Sequence, residues 1–466
     1  MNADNVPLNL WEKTRPWPQR LLMEAINGAI PASAIQQVLD KTQATGQRDR
    51  YLTGRVTVLM VLAICLWPTV CMRDCLRNLI EGCCQGLGRI PQKIPVKSAI
   101  TAARNRLGVR PLRELFRLVV HPLATNATQG AFYKGLRLVS FDGSILNVPD
   151  TPANERAFGR PGSGRGRAAF PQLRLVWFME AATRAALDFI AVPSRRAEAA
   201  VISRLFRSLK AGLLVLWDRG FHSYKLYTSV MRTGAHLLAR VQARLIFNPV
   251  KRLPDGSFLA KLYPSPSDRR RDQRGIIVRI IEYTINDTNR PGYRQKHRLI
   301  TTLLDADLYP ALELICLYHE RWEVEIGLDE IKVHQNENKP TLRSKTPRGV
   351  IQEVHGLMLL HFALCYMRHE AALTIDVDPD RISFVHTLRV VRRAVTSFQI
   401  APTCTLPALY KQMLGEITQE ILPLRRMRCY PRVVKRKMSK FHVKGERHKH
   451  WPQPCKPFAH AIEVLK

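Results

Sequence analysis

Acidic side chains are scarce in this chain: 38 aspartates and glutamates stand against 72 lysines and arginines, a formal charge of +34 over 466 residues. So large an excess of one sign favours a polyanionic partner, with nucleic acid the first candidate. The basic residues are spread along the whole chain and not gathered on one amphipathic helix, which weakens a membrane-surface role. Long hydrophobic runs are missing too. The most apolar stretch, Val56 to Met72 (VTVLMVLAICLWPTVCM), contains Pro68 and stops short of the roughly 20 residues a spanning helix needs, so it reads as a buried helix. The opening MNADNVPLNLWEK has neither a basic n-region nor an apolar h-region, so no signal peptide is visible and a cytoplasmic protein is expected. The ten cysteines form no CxxC pair and no disulfide framework, even with Cys83 and Cys84 adjacent, and reduced thiols are the default. Cys429, His442, His448, His450 and Cys455 match no common zinc spacing; the stretch reads as a solvated basic tail with no metal. RPGSGRGR, Arg160 to Arg167, lacks the GK[ST] ending of a P-loop, so ATP use is unsupported and a basic hairpin loop is expected.

What is present is a folded chain, 46% hydrophobic and long enough for two to four domains. Residues 1 to about 130 read as helical, with segments near Ser33 to Lys41, Arg55 to Trp67, Cys71 to Glu81, Val96 to Leu107 and Leu112 to Val119, separated by turn signals such as GLGRIPQKIP. Short β-rich runs follow: LRLVSFD (Leu136 to Asp142), LRLVWFME (Leu173 to Glu180), ALDFIAVP (Ala186 to Pro193) and LLVLWD (Leu213 to Asp218), with RRAEAAVISRLFRSLK giving a helical period between the last two. FHSYKLYTSVMRTG reads as a helix and HLLARV as a strand. From Gln242 to Lys296 the composition is basic and turn-rich, with LPDG as a hairpin turn, the SPSDRRRDQR loop, the strand IIVRIIEYTI and no helical period. HRLITTLLD reads as a strand rejoining the sheet, and VIQEVHGLMLLHFALCYMRHE as a long helix closing the core. This order predicts a mixed α/β nuclease core interrupted by a β-rich insertion. The boundaries expected are an all-α DNA-binding domain over 1–130, core over 131–241 and, with the Glu325 helix, over 297–400, insertion over 242–296, and a basic C-terminal region over 401–466.

Two predicted strands end in an aspartate after an apolar run, Asp142 in VSFDGS and Asp218 in VLWDRGF, and a third acid, Glu325, lies in YHERWEVEIGLDEIK, Tyr318 to Lys332. On a uniform helix at about 100° per residue, Tyr318, Arg321, Glu325 and Lys332 fall within an arc of roughly 60°. Leu317, Val324, Leu328 and Ile331 form an adjacent apolar stripe, leaving His319, Glu320, Glu323 and Glu330 to face water. Taken singly, the stripe could be a surface face with an Arg321–Glu325 pair at i,i+4, and each aspartate a turn or cap residue. Taken together, three converging carboxylates repel one another unless a divalent cation lies between them. An all-oxygen set without His or Cys selects magnesium or manganese over zinc. Two such ions roughly 4 Å apart activate a water or a 3′-hydroxyl on one side of a phosphorus and stabilise the leaving oxygen on the other, which is phosphoryl transfer on a nucleic-acid backbone. A guanidinium and an ammonium flanking the carboxylate suit phosphate oxygens. Asp329, one turn after Glu325, is a competing ligand.

The same residues carry a resemblance. Tyr318, Arg321, Glu325 and Lys332 fit the Y-R-E-K pattern, with its two, three and six intervening residues, of the bacterial insertion-element-four family of DDE transposases. VSFDGSILNVPDTPAN resembles the family's first-aspartate segment and LWDRGFHSYKLY its second; FPQLRLV, LRSKTPRGVIQEVHG and the amino-terminal VKSAITAARNRLGVRPLRELF are similar to further family segments, so the likeness covers about 90 to 430. It implies an RNase-H-like fold in which Asp142, Asp218 and Glu325 bind two magnesium ions, with manganese able to substitute, nick the element's ends and join the 3′-hydroxyls to target DNA. Tyr318, Arg321 and Lys332 would hold the backbone near the scissile phosphate. The implied partners are double-stranded DNA, as terminal inverted repeats and as target, and a second copy in a synaptic homodimer, with the bacterial nucleoid as the place of work. Some members carry a tryptophan in the insertion that stabilises a flipped base; residues 242–296 contain none, which leaves Phe247, Phe258, Tyr263 or Tyr293 for stacking. The competing expectations are an RNase-H-like nuclease that cuts without joining and a catalytically dead DNA-binding relic.

Overall fold

The computed structural model describes residues 23–45, 52–86, 94–163, 166–424, 430–431, 433–434 and 442–465. The opening MNADNVPLNLWEK, most of the GLGRIPQKIP turn, Cys429, part of the RPGSGRGR loop and much of the 425–449 tail lie outside the described residues, as do the side chains of Cys83 and Cys84.

Five helices of ten residues or more come first: α1 (Ala32–Lys41), α2 (Gly54–Leu66), α3 (Met72–Gly86), α4 (Lys97–Leu107) and α5 (Arg110–Val119). Thr53 starts α2 by accepting the Val56 N–H on its hydroxyl at 3.3 Å. Every residue from Val56 to Leu66 is buried, which is why the run shows no amphipathic period. The strands are β1 (Leu136–Asn147), β2 (Gln172–Glu180), β3 (Ala186–Pro193), β4 (Leu213–Trp217), β5 (His236–Arg240), β6 (Pro249–Arg252), β7 (Phe258–Leu262), β8 (Ile276–Ile285), β9 (His297–Thr301) and a late β10 (Ile462–Val464). The remaining helices used below are α6 (Tyr224–Met231), α7 (Ala311–Leu317), α8 (Trp322–Asp329), α9 (Pro347–Thr374), α10 (Phe384–Ile400) and α11 (Leu406–Ile417).

The chain forms two compact units, each assembled from separated segments: Met1–Gly130, Asp142–Glu198 and Glu325–Leu422 in the first, and Ala131–Phe141, Ala199–Val324 and Pro423–Lys466 in the second. In the first unit β2 and β3 pair antiparallel, from Leu173↔Pro193 to Met179↔Ala186, and helix α9 packs against α2, α5, α10, α11 and β3. Thr346 caps α9 by accepting the Gly349 N–H at 3.2 Å, and Pro347 occupies the first turn where its missing donor costs nothing. By length and composition α9 could cross a membrane, but its residues are nearly all buried in this unit, so the criterion marks a core helix here. Arg104 of α4 reaches the start of α9, donating to Gln352 (3.2 Å), Ser344 Oγ (3.0 Å) and the Gly349 carbonyl (3.0 Å), so the amino-terminal helices are built into this unit.

In the second unit β4 is the inner strand. Its LLVLW run is buried throughout, as expected for a parallel strand covered on both faces. It pairs parallel with β1, from Arg137↔Leu213 to Ser140↔Leu216, and parallel with β5, to which α6 makes the crossover. β9 joins β5 antiparallel, and β8, β7 and β6 follow in an antiparallel meander, with β10 also laid on β8. The LPDG turn closes the β6–β7 hairpin and the IIVRIIEYTI run is β8 over its full length, as the pattern predicts. RRAEAAVISRLFRSLK is helical as expected, as a short helix, Glu198–Ile202, continued by a 3₁₀ turn, Ser203–Ser208. One local expectation fails: the insertion holds a one-turn helix, Pro266–Arg270, capped by Ser265, too short to leave a period.

Candidate active site

In the second unit, Trp217 ends β4 inside a cluster of rings, its centroid 6.2 Å from Phe141, 6.0 Å from Phe206, 5.7 Å from Phe221 and 6.1 Å from Tyr227. Asp218 follows at once. Its carboxylate accepts the Arg219 N–H at 2.7 Å and caps the turn Arg219–Phe221, which fixes the carboxylate's direction at the strand end. Within this unit the register pairs Ser140 with Leu216, and Asp218 follows β4 directly. Tyr318 donates its phenol to the Trp217 carbonyl at 2.9 Å. Burial drives that phenol far above its usual range, with the Asp218 charge adding to the shift and Arg321 opposing it. The Arg321 guanidinium lies 6.0 Å from the Tyr318 ring centre and 5.0 Å from that of Trp322, against the negative faces of both rings. Tyr318 and Arg321 are thus gathered around the strand end that carries Asp218.

In the first unit, Asp142 accepts the N–H of Gly143 at 2.8 Å. A Cβ at Gly143 would stand 2.5 Å from the Glu198 carboxyl carbon, so a larger residue there would have to displace that side chain from Arg174, which holds it at 3.3 Å. Two residues past Asp142, on the same face of the strand, Ser144 accepts from Lys332 Nζ at 2.9 Å. Glu325 is half-buried in α8, and two residues on, Gly327 lets that helix rest directly on β2: a Cβ would fall 2.8 Å from Trp177 Cη2 and 3.5 Å from the Met179 sulfur. Lys332 is therefore brought to the strand of Asp142, while Asp329, the competing ligand, is exposed and pairs with His334 at 3.4 Å.

The uniform helix assumed for Tyr318 to Lys332 does not exist. A 3₁₀ turn covers Tyr318–Arg321 and a π-helical turn covers Glu330–Gln335, so the winding changes twice and the wheel misplaces side chains at both ends. Glu323 and Glu330, expected to face water, are 3% and 2% exposed. Glu330 is the centre of a buried ion network: Arg184 donates to it at 2.5 Å, Arg368 at 2.8 Å, and His361 Nε2 lies 3.3 Å away. Burial opposes its ionisation, but Arg368 and Arg184 outweigh burial and hold its carboxyl well below the usual range. Burial likewise disfavours the His361 imidazolium, yet the Cys365 sulfur and the Glu330 carboxylate raise its pKa to about 9. Glu330, His361 and Cys365 have ligand-type atoms within 4.8 Å of one another, but with two guanidiniums already on the carboxylate this is an ion-pair core and not the all-oxygen set the sequence suggests. Sequence reading also missed Gly143, Ser144 and Gly327; the D-G dipeptide at Asp142–Gly143 signals a turn, whereas here it lies inside β1.

Comparison with known proteins places these residues in a class. The family described as "Transposase DDE domain" matches residues 133–363, a span containing Asp142, Asp218 and Glu325, and "Insertion element 4 transposase N-terminal" matches residues 21–117. The protein is a DDE transposase, with a mixed α/β, RNase-H-like core. It is 30% identical over 352 residues to the transposase InsG for insertion sequence element IS4 of Escherichia coli (strain K12), covering 74% of this chain and 77% of that protein. It is 24% identical over 208 residues to the putative transposase InsZ of the same organism, covering 44% of this chain and 67% of that one. A solved structure, the piggyBac transposase synaptic complex with hairpin DNA, aligns over 90% of this chain and 88% of its own with a TM-score of 0.42 and 12% identity, too distant to inform the geometry. The chain belongs to the insertion element 4 family of transposases: it is a DNA-binding transposase of an insertion sequence, in a class of domains that generally use divalent metal ions.

Proposed function

We propose that the protein binds the terminal inverted repeats of its element, cleaves the element ends and joins the resulting 3′-hydroxyls to target DNA, with Asp142, Asp218 and Glu325 as one ligand set for two magnesium ions, manganese able to substitute. The observation that carries this reading is the match of residues 133–363 to a DDE transposase domain, a span that holds all three carboxylates. The donor chemistry fits the ions: three carboxylates without histidine or cysteine suit a hard cation, and the two aspartates are each aimed by their own following N–H. Bound there, the metal would supply charge neutralisation for the attacking and leaving oxygens of an in-line displacement. The chain's own residues supply position. Arg321 and Lys332 are assigned to the DNA backbone next to the scissile phosphate, where a guanidinium fork and an ammonium meet phosphate oxygens. Tyr318, expected at the same backbone, is assigned here to holding the end of β4, since its hydroxyl is engaged by the Trp217 carbonyl. A synaptic homodimer acting on nucleoid DNA in the cytoplasm completes the proposal.

The test is incubation of purified protein with a labelled element end, magnesium and a target plasmid. Joined products are expected; cleavage without joining would reduce the protein to a nuclease, and binding without cleavage to a relic. Asp142→Asn, Asp218→Asn and Glu325→Gln should each abolish cleavage and leave end binding within about a few-fold, because a missing ligand removes transition-state stabilisation and not DNA contact. Any one of them that cut normally would be removed from the ligand set.

A further inference from the structure

The LRSKTPRG segment has no part in the site described so far. It lies on an open cavity of about 390 Å³ in the first unit, lined by Arg73, Lys97, Arg104, Arg343, Lys345 and Thr346 among others. Among the described residues no acidic side chain lines it, although Glu353, 3% exposed behind it, accepts from Ser344 Oγ at 2.7 Å. Three helix starts meet there: α3 at Met72, α4 at Lys97 and α9 at Pro347.

The charges stand at the wrong ends of these helices for stability. A helix start carries partial positive charge and favours acids, so a cation placed there is a local cost. α4 nevertheless begins with Lys97, has no acid in its first turn and no capping side chain, and α9 follows Lys345, carries Arg348 in its first turn and has no acid there. Asp74, in the first turn of α3, is engaged by Arg77 and the Cys71 thiol. Among the described residues the side chains of Arg73, Lys97 and Lys345, all exposed, have no ion pair. Behind them Arg104, 5% exposed, uses Nε and Nη2 on Gln352, Ser344 and the Gly349 carbonyl, while among the described residues its Nη1 donates to nothing. Helix starts and unpaired cations that each disfavour the other are reconciled by an anion between them.

We infer that this cavity binds backbone phosphates of duplex DNA, with Lys97 and Lys345 as the outer contacts and Arg104 as the buried donor. A phosphodiester is the anion of this chemistry that a DNA-binding chain of charge +34 meets most often, and the inference rests on that DNA-binding reading. Its lining shares no residue with the three carboxylates or with Arg321 and Lys332, so it is assigned to affinity and register along the DNA and not to bond breaking.

The experiment is fluorescence anisotropy of labelled duplex DNA with the full-length protein, titrated between about 50 and 200 mM salt, comparing wild type with Lys97→Ala/Lys345→Ala and with Lys97→Arg/Lys345→Arg. Each lost phosphate contact lowers the slope of log affinity against log salt by roughly 1, so the double alanine variant should lose about 2 in slope and bind about tenfold more weakly at the higher salt, and the arginine variant should recover both. Its thermal midpoint without DNA should be no lower than that of wild type, since the removed cations oppose the helix dipoles; this separates a binding role from a structural one. Wild-type affinity and slope in the alanine variant would overturn the inference. If inorganic phosphate raised the thermal midpoint of wild type and not of the variant while duplex binding was unchanged, the cavity would serve a free anion and the DNA contact would be overturned. Failure of wild type to bind duplex at all would instead bring down the DNA reading, and this inference with it.

Discussion

Glu330→Gln isolates one charge in the first unit. The amide keeps the shape of the side chain but leaves Arg184 and Arg368, whose side chains are 2% and 0% exposed, without the carboxylate that both contact. Breaking a buried pair by removing one partner costs about 3–5 kcal/mol, because the surviving charge stays desolvated. Here two guanidiniums are stranded and His361 loses the carboxylate at 3.3 Å, so the upper part of that range is expected. Set against a typical total of about 5–15 kcal/mol, the loss takes roughly a quarter or more of the stability. Urea denaturation followed by tryptophan fluorescence measures it, since Trp177 lies 5.6 Å from His361 and reports this core. An apolar triple variant, Glu330→Met/Arg184→Met/Arg368→Met, serves as control, because replacing a whole buried ion cluster by apolar side chains is often neutral or stabilising by about 1–4 kcal/mol. Glu330 also begins the π-helical turn that carries Lys332, so end cleavage should fall with stability in the Gln variant. A Glu330→Gln loss below about 1 kcal/mol, or a triple variant less stable than the single one, would refute the claim that uncompensated charge dominates this core.

Gly327→Ala would force a methyl into Trp177, which is fully buried and has no room to turn; overpacking of about 1–3 kcal/mol should exceed the roughly 1 kcal/mol gained in helix propensity. Cleavage should then drop with DNA affinity unchanged, and a variant as active as wild type would show that α8 need not sit so close to β2. The His361 pKa, raised to about 9 from an unfolded value near 6.5, means that its share of stability is complete below about pH 6.5 and is lost as pH rises through 9. Thermal midpoints across that window should decline in wild type and stay flatter in His361→Gln; parallel profiles would remove the imidazolium from the network.

The five amino-terminal helices and β8 were legible because each is fixed by its own residues: α5 shows a clean amphipathic stripe and β8 an unbroken β-branched run between turns. Asp218 does stand directly after an apolar strand, as its local sequence suggests, whereas β1 runs on past Asp142 to Asn147. Glu330 was not. Its partners Arg184 and Arg368 are 146 and 38 positions away, and nothing nearby distinguishes a glutamate that will be neutralised by distant guanidiniums from one that will face water. Ser144, 188 positions from Lys332, was hidden in the same way. The helix wheel failed at Tyr318 and Glu330 because a 3₁₀ and a π turn are imposed by packing and leave no signature in the order of residues.

The docking of α2 and Arg104 on α9 has a practical consequence for engineering. Deleting or exchanging the first 130 residues would strip the cover from α9 and orphan the Gln352, Ser344 and Gly349 groups that Arg104 satisfies. Changes to these helices are better confined to outward-facing side chains, with the inner faces that α9 rests on kept.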